Sequence, residues 1–269
     1  MKTMIEDLRA EYAELAGLAR TLSPAQWGER SAFYGWTAWD EIAHLCFFDE
    51  TALLAATDAD AFARDTAALT AQLATGREIS AIARDKYRHL DGAALLAHWE
   101  PISAQLVDAL AALDAKARLP WYGPSMSARS FASARLMETW AHGQDVWDVV
   151  RRRRPAGHRL RHIAHIGVTT FGWSFVNRKR PVPQVVPYVE LQAPDGGAPW
   201  TWGDPASPEH VRGSALDFCL LVTQRRNLAD TALVCTDGSA REWLSIAQCF
   251  AGEPADAPAP GVRAVAYAD

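Results

Sequence analysis

Three side chains in the first half of the chain, His44, Glu138 and His142, have the types and local spacing with which a protein can hold a metal ion. Glu138 and His142 stand four residues apart in RLMETWAHGQDVWD. On a helix, side chains i and i+4 leave adjacent turns in the same direction with Cβ atoms about 5–6 Å apart, so one cation can be chelated by both. His44 lies in WDEIAHLCFF, where Ile42, Ala43, Leu45, Phe47 and Phe48 are poor company for an imidazole without a partner, and a metal would be such a partner. Spacing alone leaves a second reading open: a hydrogen-bonded core histidine, and a weak Glu/His pair on a helix surface. Three scattered ligands are far less specific than HExxH or paired CxxC.

Neighbouring residues extend the pattern. Asp145, three residues beyond His142, could orient an imidazole as a hydrogen-bond acceptor, and Arg135, three before Glu138, could hold that carboxylate or meet an anionic substrate. Structural salt bridges account for both nearly as well. Asp40, one turn before His44, reads either as a helix-start residue or as a group behind the ligand. Cys46 is rotated to the opposite side of the helix from His44 and is not counted as a ligand. Trp36 and Trp140 read as core, and with 11 tryptophans in the chain neither is assigned a role.

These residues need helices to position them. Up to about Val150 the chain is rich in Ala and Leu with helical spacing, as in Met4, Leu8, Tyr12, Leu15, Leu18 and in Leu95, Leu96, Trp99, Ile102, Leu106, Leu110, Leu113. Ser23-Pro24 places a cap before a first-turn proline, and Thr37 with Asp40 resembles a capping box that opens a helix over 37–57. A long helix is expected from about Ser127 to Val150, which puts Arg135, Glu138, His142 and Asp145 on one element. The expected organisation is a helical bundle over 1–156, a basic connecting helix over 157–180 and a small α+β unit over 181–269, so the fold class is mainly α with an α+β C-terminal part.

Residues 151–180 hold nine of the 27 Lys and Arg and no acid, which leaves 18 bases against 32 acids, or −14, on the rest of the chain. A solvated or interdomain face accounts for such a run, and so does an anionic ligand; His162 and His165 read as part of it. Beyond Pro181, Val185, Val186, Tyr188, Val189 and Leu191 form a β-type run, Asp195-Gly196-Gly197 a turn, and Trp200-Thr201-Trp202 a return strand. Gly213–Arg226 and Ser239–Phe250 have helical spacing, and the Pro- and Ala-rich end is expected to be irregular with a short terminal strand.

Composition narrows the classes. A chain of 269 residues with 49% hydrophobic and 22% charged residues builds real cores, and its net charge of −5 lacks the cationic excess of a nucleic-acid binder. Four cysteines without CxxC spacing suit a reducing compartment. The N-terminus has no signal-peptide core, and no stretch approaches the roughly 20 apolar residues of a membrane span. The expectation is a cytoplasmic protein with a small-molecule substrate and neither nucleic-acid nor membrane partner; the oligomeric state stays open, a homodimer included.

GWTAWDEIAHL (35–45) followed some ninety residues on by RLMETWAHGQDVWD (135–148) resembles the paired signature of the DinB-like metalloenzyme superfamily, in the branch containing mycothiol-dependent maleylpyruvate isomerase. The resemblance implies an up-and-down four-helix bundle with His44, Glu138 and His142 as ligands of a divalent metal, usually zinc. VRGSALDFCLLVTQRR (211–226) is similar to a glycine-led helix of the isomerase's second domain, and Arg225 aligns with its substrate-associated arginine, a group suited to a carboxylate. The wording ETWAHGQD and TQRRNLADT most resembles an actinobacterial group of metal-binding paralogues of unassigned activity. Two imidazoles and a carboxylate leave a position open for a thiol or for water. Mycothiol as cosubstrate, in thiol transfer or isomerisation, is the first functional expectation. A hydrolase using metal-bound water and a non-catalytic metal-dependent binding protein are the alternatives.

Overall fold

The structure, a computed structural model, describes residues 1–268. The chain divides after Val150 into two units.

The first unit is built on four long helices: α1 (Lys2–Ala19), α3 (Ala38–Thr57), α6 (Gly92–Ala111) and α7 (Ala128–Val149). Each packs on two of the others, α1 on α6 and α7 and α3 on the same two, which closes a four-helix bundle. Short helices α2 (Pro24–Trp27), α4 (Ala59–Leu73) and α5 (Ile79–Tyr87) fill the connections, and a two-stranded ribbon of β1 (Arg118–Leu119) and β2 (Met126–Ser127) leads into α7. The stripe Met4, Leu8, Tyr12, Leu15 and Leu18 is buried, as are Leu95, Leu96, Trp99, Leu106 and Leu110, whereas Leu113 falls beyond the end of α6.

Chain punctuation sets where these helices start. Ser23 and Gln26 cap each other's backbone N–H groups at α2, and Thr37 and Asp40 do so at α3. Ser127 Oγ accepts from Ser130 N at 3.1 Å and opens α7 one residue beyond the expected start. Gly92 opens α6 where no side chain fits, since a Cβ there would lie 2.2 Å from Trp27 Cδ2.

The second unit pairs a four-stranded sheet with helices. Its strands are β3 (Tyr188–Gln192), β4 (Trp200–Trp202), β5 (His210–Ser214) and β6 (Val234–Cys235), in the order β4-β3-β5-β6, with β3 and β5 parallel and the outer pairs antiparallel. The β3–β4 hairpin turns where expected: Asp195 Oδ1 accepts from Gly197 N at 3.0 Å, and Gly196 takes φ 72°. The helices are α8 (Leu160–Thr169), α9 (Phe171–Val176), α10 (Ala215–Val222) and α11 (Ser239–Ile246).

Several expectations are corrected here. Residues 157–180 form two helices that break at Thr170, and α8 packs closely on α10 inside the second unit: a Cβ on Gly167 would meet Val222 Cγ2 at 2.8 Å and Phe218 Cε1 at 2.9 Å. The helix expected over 213–226 starts only at Ala215, because Gly213 and Ser214 complete β5, and stops at Val222. Val185 and Val186 are exposed and precede the strand. No strand follows Gly252 among the described residues. Part of the basic run is neutralised within its own unit: Arg178 pairs with Asp256 at 2.8 Å and Arg180 with Glu242, while Arg153 lies over Tyr267 and Arg161 over Trp200. No described helix is long and apolar enough to cross a membrane.

Candidate metal centre

From Arg135 to Val149 every residue of α7 except Glu138 is buried. A helix buried all round must pair its polar side chains, and His142 shows how this one does. Its Nδ1 lies 2.7 Å from Oε2 of Glu41, a fully buried carboxylate on α3. A carboxylate can only accept, so Nδ1 carries a proton, and Nε2 is the ring atom left to offer a lone pair to a cation. That Nε2 faces Glu138, whose Oε2 is 3.4 Å away.

His44 completes the group from α3, one turn after Glu41. Its ring centroid is 4.4 Å from that of His142, and one donor atom each from His44, Glu138 and His142 fall within 4.8 Å of one another. The sequence-derived trio is therefore together in space. Two imidazoles and a carboxylate, one imidazole held through Nδ1 with its Nε2 turned to the group, form a donor set that fits a zinc-class divalent cation. Asp145 lies one turn beyond His142 on the same buried face, its carboxylate within 4.8 Å of ligand atoms of Glu41 and His142. The 2.7 Å acceptor of the imidazole is nevertheless Glu41, which sequence reading passed over although it sits three residues before His44, on the same helix face.

An aromatic loop covers the imidazoles. Ser31 N donates to Trp36 O at 2.7 Å and Trp36 N to Phe33 O at 2.9 Å, and the loop reverses through Tyr34 and Gly35 at φ 51° and 69°. The left-handed backbone at Gly35 costs least without a side chain. The reversal lays Trp36 parallel to His142, 5.9 Å between centroids and 16° between planes, and 5.3 Å from His44; Phe33 meets His142 edge-on and Phe48 meets His44. Trp36 thus has a place beside both imidazoles that its sequence context did not reveal. A narrow crevice lined by Trp36, Ala43, His44, Ser80 and Arg84 opens on the His44 side.

Arg135 is held away from Glu138 by a stronger partner. Its Nε donates to Asp49 Oδ1 at 2.9 Å, and the same carboxylate accepts from Tyr12 Oη at 2.7 Å and Trp99 Nε1 at 2.8 Å. Asp49 is fully buried, and its group draws one residue from each bundle helix: Tyr12 from α1, Asp49 from α3, Trp99 from α6, Arg135 from α7. Burial opposes the guanidinium's charge, but Asp49 first, then Tyr12 and Glu138, raise its pKa above the ordinary arginine value. Arg135 thereby adds a fixed positive charge behind Glu138. Desolvation lifts Tyr12 well above the usual tyrosine range, so its hydroxyl stays a donor to Asp49.

The remaining sequence-derived candidate, Arg225, belongs to the second unit. It lies three residues past the end of α10, is buried, and donates from Nη1 to Thr223 O at 2.9 Å. It is not a solvent-exposed cation.

Comparison with known proteins agrees with the four-helix frame. A family model described as the mycothiol maleylpyruvate isomerase N-terminal domain matches residues 8–147. Uncharacterized proteins from two strains of Mycobacterium tuberculosis are each 41% identical over 250 residues, which is 93% of this chain and 96% of theirs. The crystal structure of the mycothiol-dependent maleylpyruvate isomerase superposes with a TM-score of 0.55 at 17% identity, covering 88% of this chain and 93% of that one. A histidine-to-alanine mutant of that isomerase gives a TM-score of 0.54 at the same identity and coverage.

Proposed function

Because the chain belongs to the mycothiol maleylpyruvate isomerase N-terminal domain family, we propose that it is a divalent-metal-dependent enzyme that uses mycothiol, a low-molecular-weight thiol, to act on a small electrophilic, carboxylated molecule by transfer or isomerisation. The observation that carries the metal half of this reading is the 2.7 Å contact between His142 Nδ1 and Glu41, which leaves Nε2 facing Glu138 and His44 as an acceptor for a cation. His44, Glu138 and His142 would hold the ion, with zinc the best match to the donor set. When bound, a divalent ion of this kind stabilises a thiolate at neutral pH and so supplies a nucleophile.

The chain's own residues supply the rest. Glu41 keeps a proton on Nδ1 of His142 and holds the ring in one orientation, so Nε2 is presented to a cation without reorganisation of the side chain. Phe33, Trp36 and Phe48 pack against the two imidazoles and limit water there, which strengthens electrostatic interactions around Glu138. Arg135, anchored on Asp49, offsets the charge of Glu138 without competing for its oxygens. Asp145 is assigned to fine positioning of His142 together with Glu41. A reducing cytoplasm suits a small-thiol cosubstrate and the four free cysteines.

The test is a turnover screen of the metal-loaded chain with mycothiol and small carboxylated electrophiles. Metal-dependent consumption or cis–trans isomerisation of an electrophile that requires mycothiol supports the proposal. Hydrolysis with the same metal requirement and no need for mycothiol would replace it with a metallohydrolase.

A further inference from the structure

Two residues beyond His44, on the opposite side of α3, lies a second group of donors. Cys46 Sγ is 4.0 Å from Oε1 of Glu50, one turn on, and the same oxygen is 3.0 Å from Nε2 of His98 on α6. One donor atom each from Cys46, Glu50 and His98 lie within 4.8 Å of one another. The other Glu50 oxygen holds the ammonium of Lys86, which also lies over the rings of Phe47 and Tyr87. A positive charge is therefore already drawn to this spot. Tyr87, buried to 2% exposure, brings its hydroxyl against Cys46 and Glu50, and its ring packs on that of His98. The group thus runs from a buried thiol through a partly buried carboxylate to His98 and Lys86, each nearly half exposed.

We propose that Cys46, Glu50 and His98 form a second metal site, specific for a thiophilic divalent cation of the zinc class. Sulfur, nitrogen and a carboxylate oxygen are the donors such an ion selects, whereas magnesium and calcium select oxygen alone. Binding balances by displacement: the cation takes the thiolate of Cys46, whose proton passes to water, and Glu50 exchanges the ammonium of Lys86 for the ion while Lys86 turns to solvent. The ion would tie α3 to α6 directly behind the His44 face, independently of what occupies the first centre.

Cobalt(II) separates the two sites, because only the second contains sulfur. Titration of the metal-free full chain with cobalt is expected to load two equivalents, one of them giving a thiolate-to-cobalt charge-transfer band. Cys46→Ser should abolish the band and leave one equivalent, and His98→Ala, at a half-exposed position that tolerates truncation, should weaken the band-forming step at least about tenfold. Lys86→Met, which removes the competing cation of an exposed ion pair, should tighten it about threefold to fivefold. His142→Ala should lose the band-free equivalent and keep the band. One equivalent that carries the band would still support this site while counting against the first centre. Absence of the band at saturating cobalt, a band that survives Cys46→Ser, one that vanishes in Cys235→Ser, or one unchanged by His98→Ala overturns the proposal.

Discussion

Glu41→Gln isolates what the buried carboxylate does for the candidate centre. The substitution keeps the shape and a hydrogen-bonding group but removes the charge, and glutamine can present either its oxygen or its NH2 to His142 Nδ1. The wild-type contact of 2.7 Å to a fully buried carboxylate falls in the range of charge-assisted bonds. Partners behind a metal-ligating histidine are worth about 10–100-fold in metal affinity, or roughly 1.4–2.7 kcal/mol. Loss in the upper part of that range is expected, because Glu41 both keeps a proton on Nδ1 and sits where no water can substitute for it. Competition for zinc between the protein and a chromogenic chelator at neutral pH measures it, with far-ultraviolet circular dichroism confirming that the bundle is intact. Asp145→Asn is the comparator and should cost less than about threefold, since the short bond goes to Glu41. A Glu41→Gln chain that binds zinc within about twofold of wild type would refute the reasoning, above all if Asp145→Asn carried the loss.

Other consequences can be checked independently. Asp49→Ala strands the buried guanidinium of Arg135 and the polar atoms of Tyr12 and Trp99, and should cost about 3–5 kcal/mol in urea unfolding, with the Asp49→Leu/Arg135→Met double variant recovering part of it. Gly92→Ala drives a methyl group into Trp27 and should cost about 1–3 kcal/mol in the same assay, since backbone and an indole must shift together. Burial works to raise the pKa of Asp40, but hydrogen bonds from Arg84 and Thr37 outweigh it and hold the carboxyl below 3.8. Its stabilising contribution is then complete above that value and fades as pH falls through the lower folded-state pKa, so Asp40→Asn should flatten the acid limb of stability against pH. A thiol reagent should label Cys235 first in the native protein, with Cys46, Cys219 and Cys249 reacting only on unfolding; burial pushes the Cys46 thiol up to about 12.

How far the sequence carries can be judged residue by residue. The bundle was legible because its signals are local: stripes such as Met4-Leu8-Tyr12-Leu15 and the caps at Ser23 and Thr37 act within one or two turns, and the structure forms the helices they mark. The grouping of His44, Glu138 and His142 was legible through i,i+4 spacing and the family pattern, not through periodicity, since from Arg135 onward α7 is buried on every side except at Glu138. Glu41, Asp49 and Trp36 were not legible as site residues. Each looks like an ordinary helix or loop residue until tertiary packing brings it to a partner 101, 86 or more positions away, or stacks it on an imidazole. The start of α10 was misplaced because Gly213 and Ser214 carry helix-start chemistry while their backbone still pairs with β3.

The claim that joins the centre to a small thiol is tested most directly by X-ray absorption at the zinc edge, on zinc-loaded Cys46→Ser protein before and after addition of mycothiol. The Cys46→Ser background removes the sulfur of the second group of donors. Before addition, a shell of nitrogen and oxygen at about 2.0–2.2 Å without sulfur is expected; after it, one sulfur at about 2.3 Å, absent when His142→Ala is introduced. A nitrogen and oxygen shell that stays unchanged at saturating mycothiol would contradict thiol activation at His44, Glu138 and His142.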